Sequence, residues 1–181
     1  MTDAFNKALI AELAKKTSVC WLRYAEPGDP DASPSPRTRA AWHIWHDDAL
    51  HLVAGGREQQ LPGIGDVERV QVIMRSKENG GRLVAWVGTV SVVHPTDDAW
   101  DDVATALVAE RLNLEDLGTA KEQWAAESVV VRIEPTGDLL EQPGALSDEP
   151  HSEPPPPTGA TTRGALPRVL HRRQRRRPGL A

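Results

Sequence analysis

The sequence holds one cysteine, one phenylalanine and one tyrosine in 181 residues. A lone Cys20 excludes an internal disulfide and any zinc site built on paired cysteines. It lies in an apolar stretch with no adjacent base or cation to activate it, so it reads as a buried thiol. A reducing compartment fits this usage. No stretch approaches the roughly 18 apolar residues of a membrane span. The apolar run Ala8–Ala14 is short, is interrupted by Glu12 and lacks a small-residue cleavage site, so it does not read as a signal peptide. A cytoplasmic location is expected. Catalytic signatures are missing too. There is no P-loop and no Ser–His–Asp order, and Gly55-Gly56 and Gly63-x-Gly65 lack the spacing of a dinucleotide fingerprint. The sequence assigns no catalytic residue.

What is present is a body rich in tryptophan, with six of its eight aromatic residues of that type. That suits one core of ordinary size. The net charge of −5 hides an asymmetry. Met1–Gln142 carries 14 Lys and Arg against 23 Asp and Glu, a balance of −9, whereas Pro143–Ala181 carries 7 Arg against 3 acids, a balance of +4. The two parts are therefore separate objects. Residues 1–142 read as one domain. Residues 143–181 read as a disordered Pro-rich tail, with Pro154–Pro157 among Ser, Gly and Thr and an Arg run over His171–Arg177. That run is a candidate for nucleic acid or another anionic surface, but the acidic body opposes such contact beyond the tail itself. A solvated extension is the alternative.

The spacing of Phe5, Ala8, Leu9 and Leu13 predicts a helix over Thr2–Lys16. Ser18–Tyr24 predicts a strand. The prolines of Glu26–Arg39 predict a loop. Ala40–His46 and Leu50–Ala54 predict two strands joined at Asp47-Asp48, since Asp tolerates turn conformations. Gly55–Asp66 is a glycine-containing connection with room for one helical turn. Val67–Lys77 and Arg82–Val93 predict strands joined through Glu78–Gly81. The second is apolar on both faces, so it is expected at a barrel centre or under a dimer partner. Thr96 is the expected cap of a helix bearing Trp100, Val103, Ala104, Leu107, Val108, Arg111 and Leu112 on one face. A short helix around Lys121–Ala126 and a strand over Ser128–Glu134 follow.

Three segments carry a family resemblance. Trp45-His46-Asp47-Asp48-Ala49-Leu50-His51-Leu52 is a hairpin with an acidic turn. Ala54–Ile64 follows it as a polar segment. Arg82-Leu83-Val84-Ala85-Trp86-Val87-Gly88 is a strand with Arg, Val and Gly in register. Together, over roughly Ser18–Glu134, the chain resembles the pyridoxamine 5'-phosphate oxidase-like, FMN-binding split β-barrel proteins. The resemblance implies a mainly β, α+β fold: a split β-barrel of about six antiparallel strands with flanking helices. It implies a homodimer, and a flavin- or deazaflavin-dependent oxidoreductase using FMN or 8-hydroxy-5-deazaflavin. Strand positions near His43 and Trp45 would line the cofactor ring. In that family an Arg-Lys pair neutralises the FMN phosphate, and by register it falls here on the uncharged Gln59-Gln60. The family's Gln on the later strand falls on Leu83.

The phosphate would then need other partners. Gly55 and Gly56 let backbone approach an anion closely, and Arg57, Arg75, Lys77 and Arg82 are the available cations. Arg75 and Lys77, two apart on one predicted strand, would share a face. A solvated strand end balancing Glu58 and Glu78 is the other reading of that pair. No metal is expected. His43 and His46 point to opposite faces of a strand, and His46, His51 and one carboxylate fall short of the convergent ligands zinc needs. One of Trp42 and Trp45 is expected in the core, the other beside a ring or in an interface. The rival function is a non-catalytic split-barrel dimer that holds a cofactor or serves as an interaction module.

Overall fold

The structure is a computed structural model describing residues 3–26, 36–78, 80–111, 116–146 and 148. The chain divides into two units, Met1–Ser147 and Asp148–Ala181. Apart from Asp148 the second unit lies outside the described residues, and with it the expected Arg run.

The first unit runs α1 (Asp3–Lys16), β1 (Val19–Tyr24), β2 (Arg37–Trp42), β3 (Ile44–His46), β4 (Ala49–Ala54), a 3₁₀ turn (Ile64–Asp66), β5 (Arg69–Arg75), β6 (Arg82–Val93), α2 (Trp100–Glu110), α3 (Ala120–Glu127) and β7 (Val129–Glu141). All seven strands join one antiparallel sheet in the order β2-β1-β5-β6-β7-β4-β3. The two edge strands, β2 and β3, are consecutive in the chain with only His43 between them. The sheet must therefore curl until its edges meet, which makes it a half-barrel with flanking helices. This is the expected mainly β fold, with seven strands among the described residues rather than about six.

The extra strand arises at His43. Ala40–His46 is expected as one strand, but its halves pair with different neighbours. Trp42 lies opposite Val19 in β1, while Ile44 lies opposite His51 in β4. The chain changes partners at the seam, where the His43 N–H donates to Ser18 C=O at 3.0 Å. β2 also begins at Arg37, inside the stretch expected to be loop. Tyr24 faces Arg37 across the ladder, and the Glu26 carboxylate, nearly buried, pairs with Arg39 and Arg37.

Other differences have local causes. β7 continues past Glu134 through Pro135, and just beyond it the ladder shifts register, with Thr136–Asp138 of β7 opposite Val87 of β6. α2 starts at Trp100 rather than near Thr96. The Asp97 carboxylate accepts from the His94 N–H at 2.8 Å and holds a separate turn before the helix. α1 buries Ile10 and Ala14, while Phe5, expected on the apolar face, is exposed. Asp47 and Asp48 take φ of +45° and +52°, the left-handed pair of a tight hairpin turn.

Each strand face feeds a different cluster. Leu50 and Leu52 of β4, Val131 and Ile133 of β7 and Trp86 of β6 pack with Ile10 of α1 on one side. Val53 and Val130 pack with Val103, Leu107 and Trp124 of α2 and α3 on the other. β4 is buried along its whole length for this reason. Burying one such aliphatic side chain fully contributes roughly 1.5–3 kcal/mol. β6 is buried on both faces only over Val84–Trp86, and further along Val87, Val90 and Val92 are half-buried. Gly88 is packed tightest: a Cβ there would lie 2.3 Å from Ile133 Cγ2 and 2.9 Å from the Trp86 ring. Cys20 is fully buried, and burial pushes its thiol up to about 12, as expected for an inert group.

Candidate functional site

The segment after β4 is built on two left-handed glycines. Gly55 and Gly56 have φ of +83° and +58°. A Cβ on Gly56 would sit 2.9 Å from Glu127 C=O, so only glycine fits there. The Gly55 N–H donates to Gln59 C=O at 3.0 Å, the Glu58 N–H donates to Gly55 C=O at 2.9 Å, and Ser128 Oγ donates to Gly55 C=O at 3.2 Å. This compact loop leads into Leu61 and Ile64, both buried. Above them lies a cleft of about 370 Å³ walled by Leu61, Pro62, Ile64, Val92 and Val129, with Gly55, Gln60, Asp66 and His94 also lining it.

The polar residues of the loop turn toward protein. Gln59 Oε1 accepts from the Trp42 N–H at 2.6 Å, and its Nε2 donates to Trp42 C=O at 2.9 Å and to Val53 C=O at 3.0 Å. Gln60 Nε2 donates to the carbonyls of Gly56 and Glu58. Glu58 accepts from Trp124 Nε1 at 3.1 Å and pairs with Arg111 at 2.9 Å, and Arg111 in turn stacks 5.3 Å from the Trp42 ring. The Gly55–Gln60 loop is thereby tied to α3, to the residue ending α2 and to the barrel seam. Arg57 is exposed and lies outside the cleft lining.

The sequence-derived site residues do not gather in one place within the chain. Gly55 and Gln60 line the cleft just described, with Gly56 and Gln59 in the loop beneath. His43 and Trp45 line a second cleft of about 310 Å³, between the C-terminal end of α1 and the barrel seam. Arg75 pairs with Arg82 at the far end of β5 and β6, whereas Ala54 and Val93 mark the near end beside Val129 and Val130. Along an extended strand that separation is roughly 35 Å. Arg82 forms a 2.6 Å salt bridge with Glu141 at the far end, and Arg75 lies 6.0 Å from the Trp21 ring. Lys77 falls beyond β5 in the following turn, so it and Arg75 do not share a strand face.

Trp42 and Trp45 are both half-buried and pack on different clusters. His43 and His51 are buried, and neither ring has a hydrogen-bond partner among the described residues. Burial pushes His43 down to about 4. The backbone of Ala14 and Ala41 opposes this weakly, from outside hydrogen-bond geometry. Burial, then the Arg132 and His46 charges, push His51 to about 4 as well. His46 meets Asp102 at 2.6 Å and the His51 ring edge-on at 5.9 Å. No group of three His, Cys, Asp or Glu side chains suited to a metal converges among the described residues. No helix among them is long and apolar enough to cross a membrane.

Sequence reasoning missed Glu58, Arg111, Trp124, Asp66 and His94 around this site. Glu58 lies 53 and 66 positions from its two partners, so no local pattern links them. Asp66 and His94 come together only because the 3₁₀ turn packs on the end of β6.

No family model and no curated protein matches the sequence. Solved structures of like fold do. The heme storage protein HutZ of Vibrio cholerae superposes with a TM-score of 0.53 at 14% identity, over 73% of this chain and 91% of that one. A conserved hypothetical protein of Mycobacterium tuberculosis gives 0.52 at 16% identity, over 71% and 79%. A Clostridium acetobutylicum protein of the pyridoxine phosphate oxidase family lies further off, with 0.45 at 11% identity over 75% and 86%. At these identities the likeness is one of fold. The fold is that of the split barrels the sequence resembles.

Proposed function

We propose that this chain binds a flavin-type cofactor, FMN or 8-hydroxy-5-deazaflavin, in the cleft along Gly55–Asp66. We further propose that it works as an oxidoreductase of the pyridoxamine 5'-phosphate oxidase-like kind, on a substrate the residues do not specify. The observation that carries this reading is the apolar cleft set against the end of a split-barrel sheet. Its aliphatic walls fit the face of a planar ring, and a flavin would supply the hydride chemistry there. Leu61, Ile64 and Val92 would exclude water from the ring, and the Gly55-Gly56 turn would bring backbone close to its edge. The residues fit the ring; the Gly55–Gln60 loop fits a phosphate poorly, because Gln59 and Gln60 are engaged by carbonyls, Glu58 is acidic and Arg57 lies outside the cleft lining.

The working form is proposed to be a cytoplasmic homodimer through the sheet. Val87, Val90 and Val92 of β6 and both seam tryptophans stay half-buried in one chain, which a partner would cover. An obligate homodimer interface often buries on the order of 2,000 Å² or more. Sedimentation as a monomer at micromolar concentration counts against it.

Adding the full chain to FMN or to the deazaflavin should change cofactor fluorescence at micromolar concentration. A colourless protein that alters neither signal would overturn the flavin reading. It would favour the second one, a non-catalytic split-barrel dimer that stores another cofactor or acts as an interaction module. A heme storage protein shares this fold.

A further inference from the structure

The charge and size of the cleft along Gly55–Asp66 limit which part of a ligand it can take. Its walls are aliphatic, and among its lining side chains Asp66 is acidic while no Lys or Arg contributes. Arg57, within the loop, is exposed and lies outside the lining, and Arg111 is paired with Glu58 and stacked on Trp42. The amide that could have turned toward an anion, on Gln59, spends its oxygen and nitrogen on Trp42 and Val53. A dianion at the rim would therefore meet Asp66 and no lining Lys or Arg, with His94 the one other titratable side chain of the lining. Like charges a few ångströms apart repel even when partly solvated.

Size points the same way. The cleft measures about 370 Å³, at the low end of ligand pockets, which run from roughly 300 to 1,000 Å³. Its floor is tight: a Cβ on Gly65 would lie 3.1 Å from Val92 Cγ2 and 3.3 Å from Val129 Cγ1. There is room for a ring system and little beyond it.

We infer that this cleft recognises an uncharged planar ring and does not recognise a phosphate. The inference rests on the flavin reading above and narrows it. The ligand is selected by its ring, and a phosphorylated side arm projects into solvent without gain in affinity.

The test is titration of the full chain with lumiflavin, riboflavin and FMN, read by flavin fluorescence. The expected dissociation constants agree within about threefold, and raising the salt leaves the FMN value unchanged. FMN binding tenfold or more tighter than riboflavin would overturn the inference while leaving the flavin reading intact. Failure of all three to bind would overturn both. Asp66→Lys locates the site. A cation at the rim should shift the riboflavin-to-FMN ratio at least threefold toward FMN. If riboflavin binds but the ratio does not move, the ring lies elsewhere and the assignment to this cleft fails.

Discussion

The side-chain amide of Gln59 pairs with the backbone of Trp42 as a neighbouring strand would. Gln59 Oε1 accepts from the Trp42 N–H at 2.6 Å, and Gln59 Nε2 donates to the Trp42 C=O at 2.9 Å. The same nitrogen donates to Val53 C=O at 3.0 Å, so one residue clasps the end of β2 to the end of β4. β2 and β3 are not ladder neighbours, and this clasp closes the gap where the chain changes sides. Gln59→Ala strips a donor and an acceptor from partly buried backbone. Each group left unsatisfied costs about 1–3 kcal/mol, so a loss of roughly 2–3 kcal/mol is expected in urea unfolding. Gln59→Glu should cost at least as much, because a carboxylate would face two carbonyls. A change below about 0.5 kcal/mol in both variants would show that the seam does not need the clasp.

Gly88 has no room for a side chain. Its missing Cβ would overlap Ile133 Cγ2 at 2.3 Å. Overpacking of this kind typically costs about 1–3 kcal/mol, so Gly88→Ala should lower the unfolding free energy by that much. Gly88→Ala combined with Ile133→Ala should be less harmful than the sum of the two, because the second change removes the clashing methyl. Strict additivity in that double-mutant cycle would refute the steric account.

Two buried histidines set a pH dependence. His43 and His51 are held at about 4 in the fold, against 6.5 for the free side chain. Between those values the unfolded chain binds more protons than the folded one. Stability should therefore fall as the pH drops from about 6.5 toward 4, by at most about 1.4 kcal/mol per pH unit for each histidine. Above about 6.5 both rings are neutral in either state and this contribution is complete. His43→Leu and His51→Leu should each shrink the difference between urea midpoints at pH 7 and pH 5. The same difference in both variants as in the parent would assign the effect to carboxylates instead.

The sequence made the elements legible wherever their causes are local. Arg82–Val93 reads as a long strand from its unbroken β-branched and apolar run, and it is one. Asp47-Asp48 reads as a hairpin turn and adopts left-handed backbone. Gly55-Gly56 reads as backbone open to an anion, and in the fold Gly56 packs closely on Glu127 C=O. The break at His43 has no glycine or proline to mark it; barrel closure imposes it from across the sheet. The site was legible only in part for the same reason. By register Gln59 falls where the resembled family holds its phosphate, whereas its partners at Trp42 and Val53 are fixed by the fold rather than by spacing. Arg75 and Arg82 could serve the loop only if β4 and β5 were neighbours. In the sheet β6 and β7 stand between them.

Backbone hydrogen exchange with and without riboflavin tests the central claim most directly, because it locates the ligand without assuming any activity. The account predicts that riboflavin slows exchange over residues 61–66 and 92–94, which line the cleft, and leaves residues 15–18 and 43–45 of the α1 cleft unchanged. Slowed exchange confined to residues 15–18 and 43–45, or no change anywhere at saturating riboflavin, would contradict it.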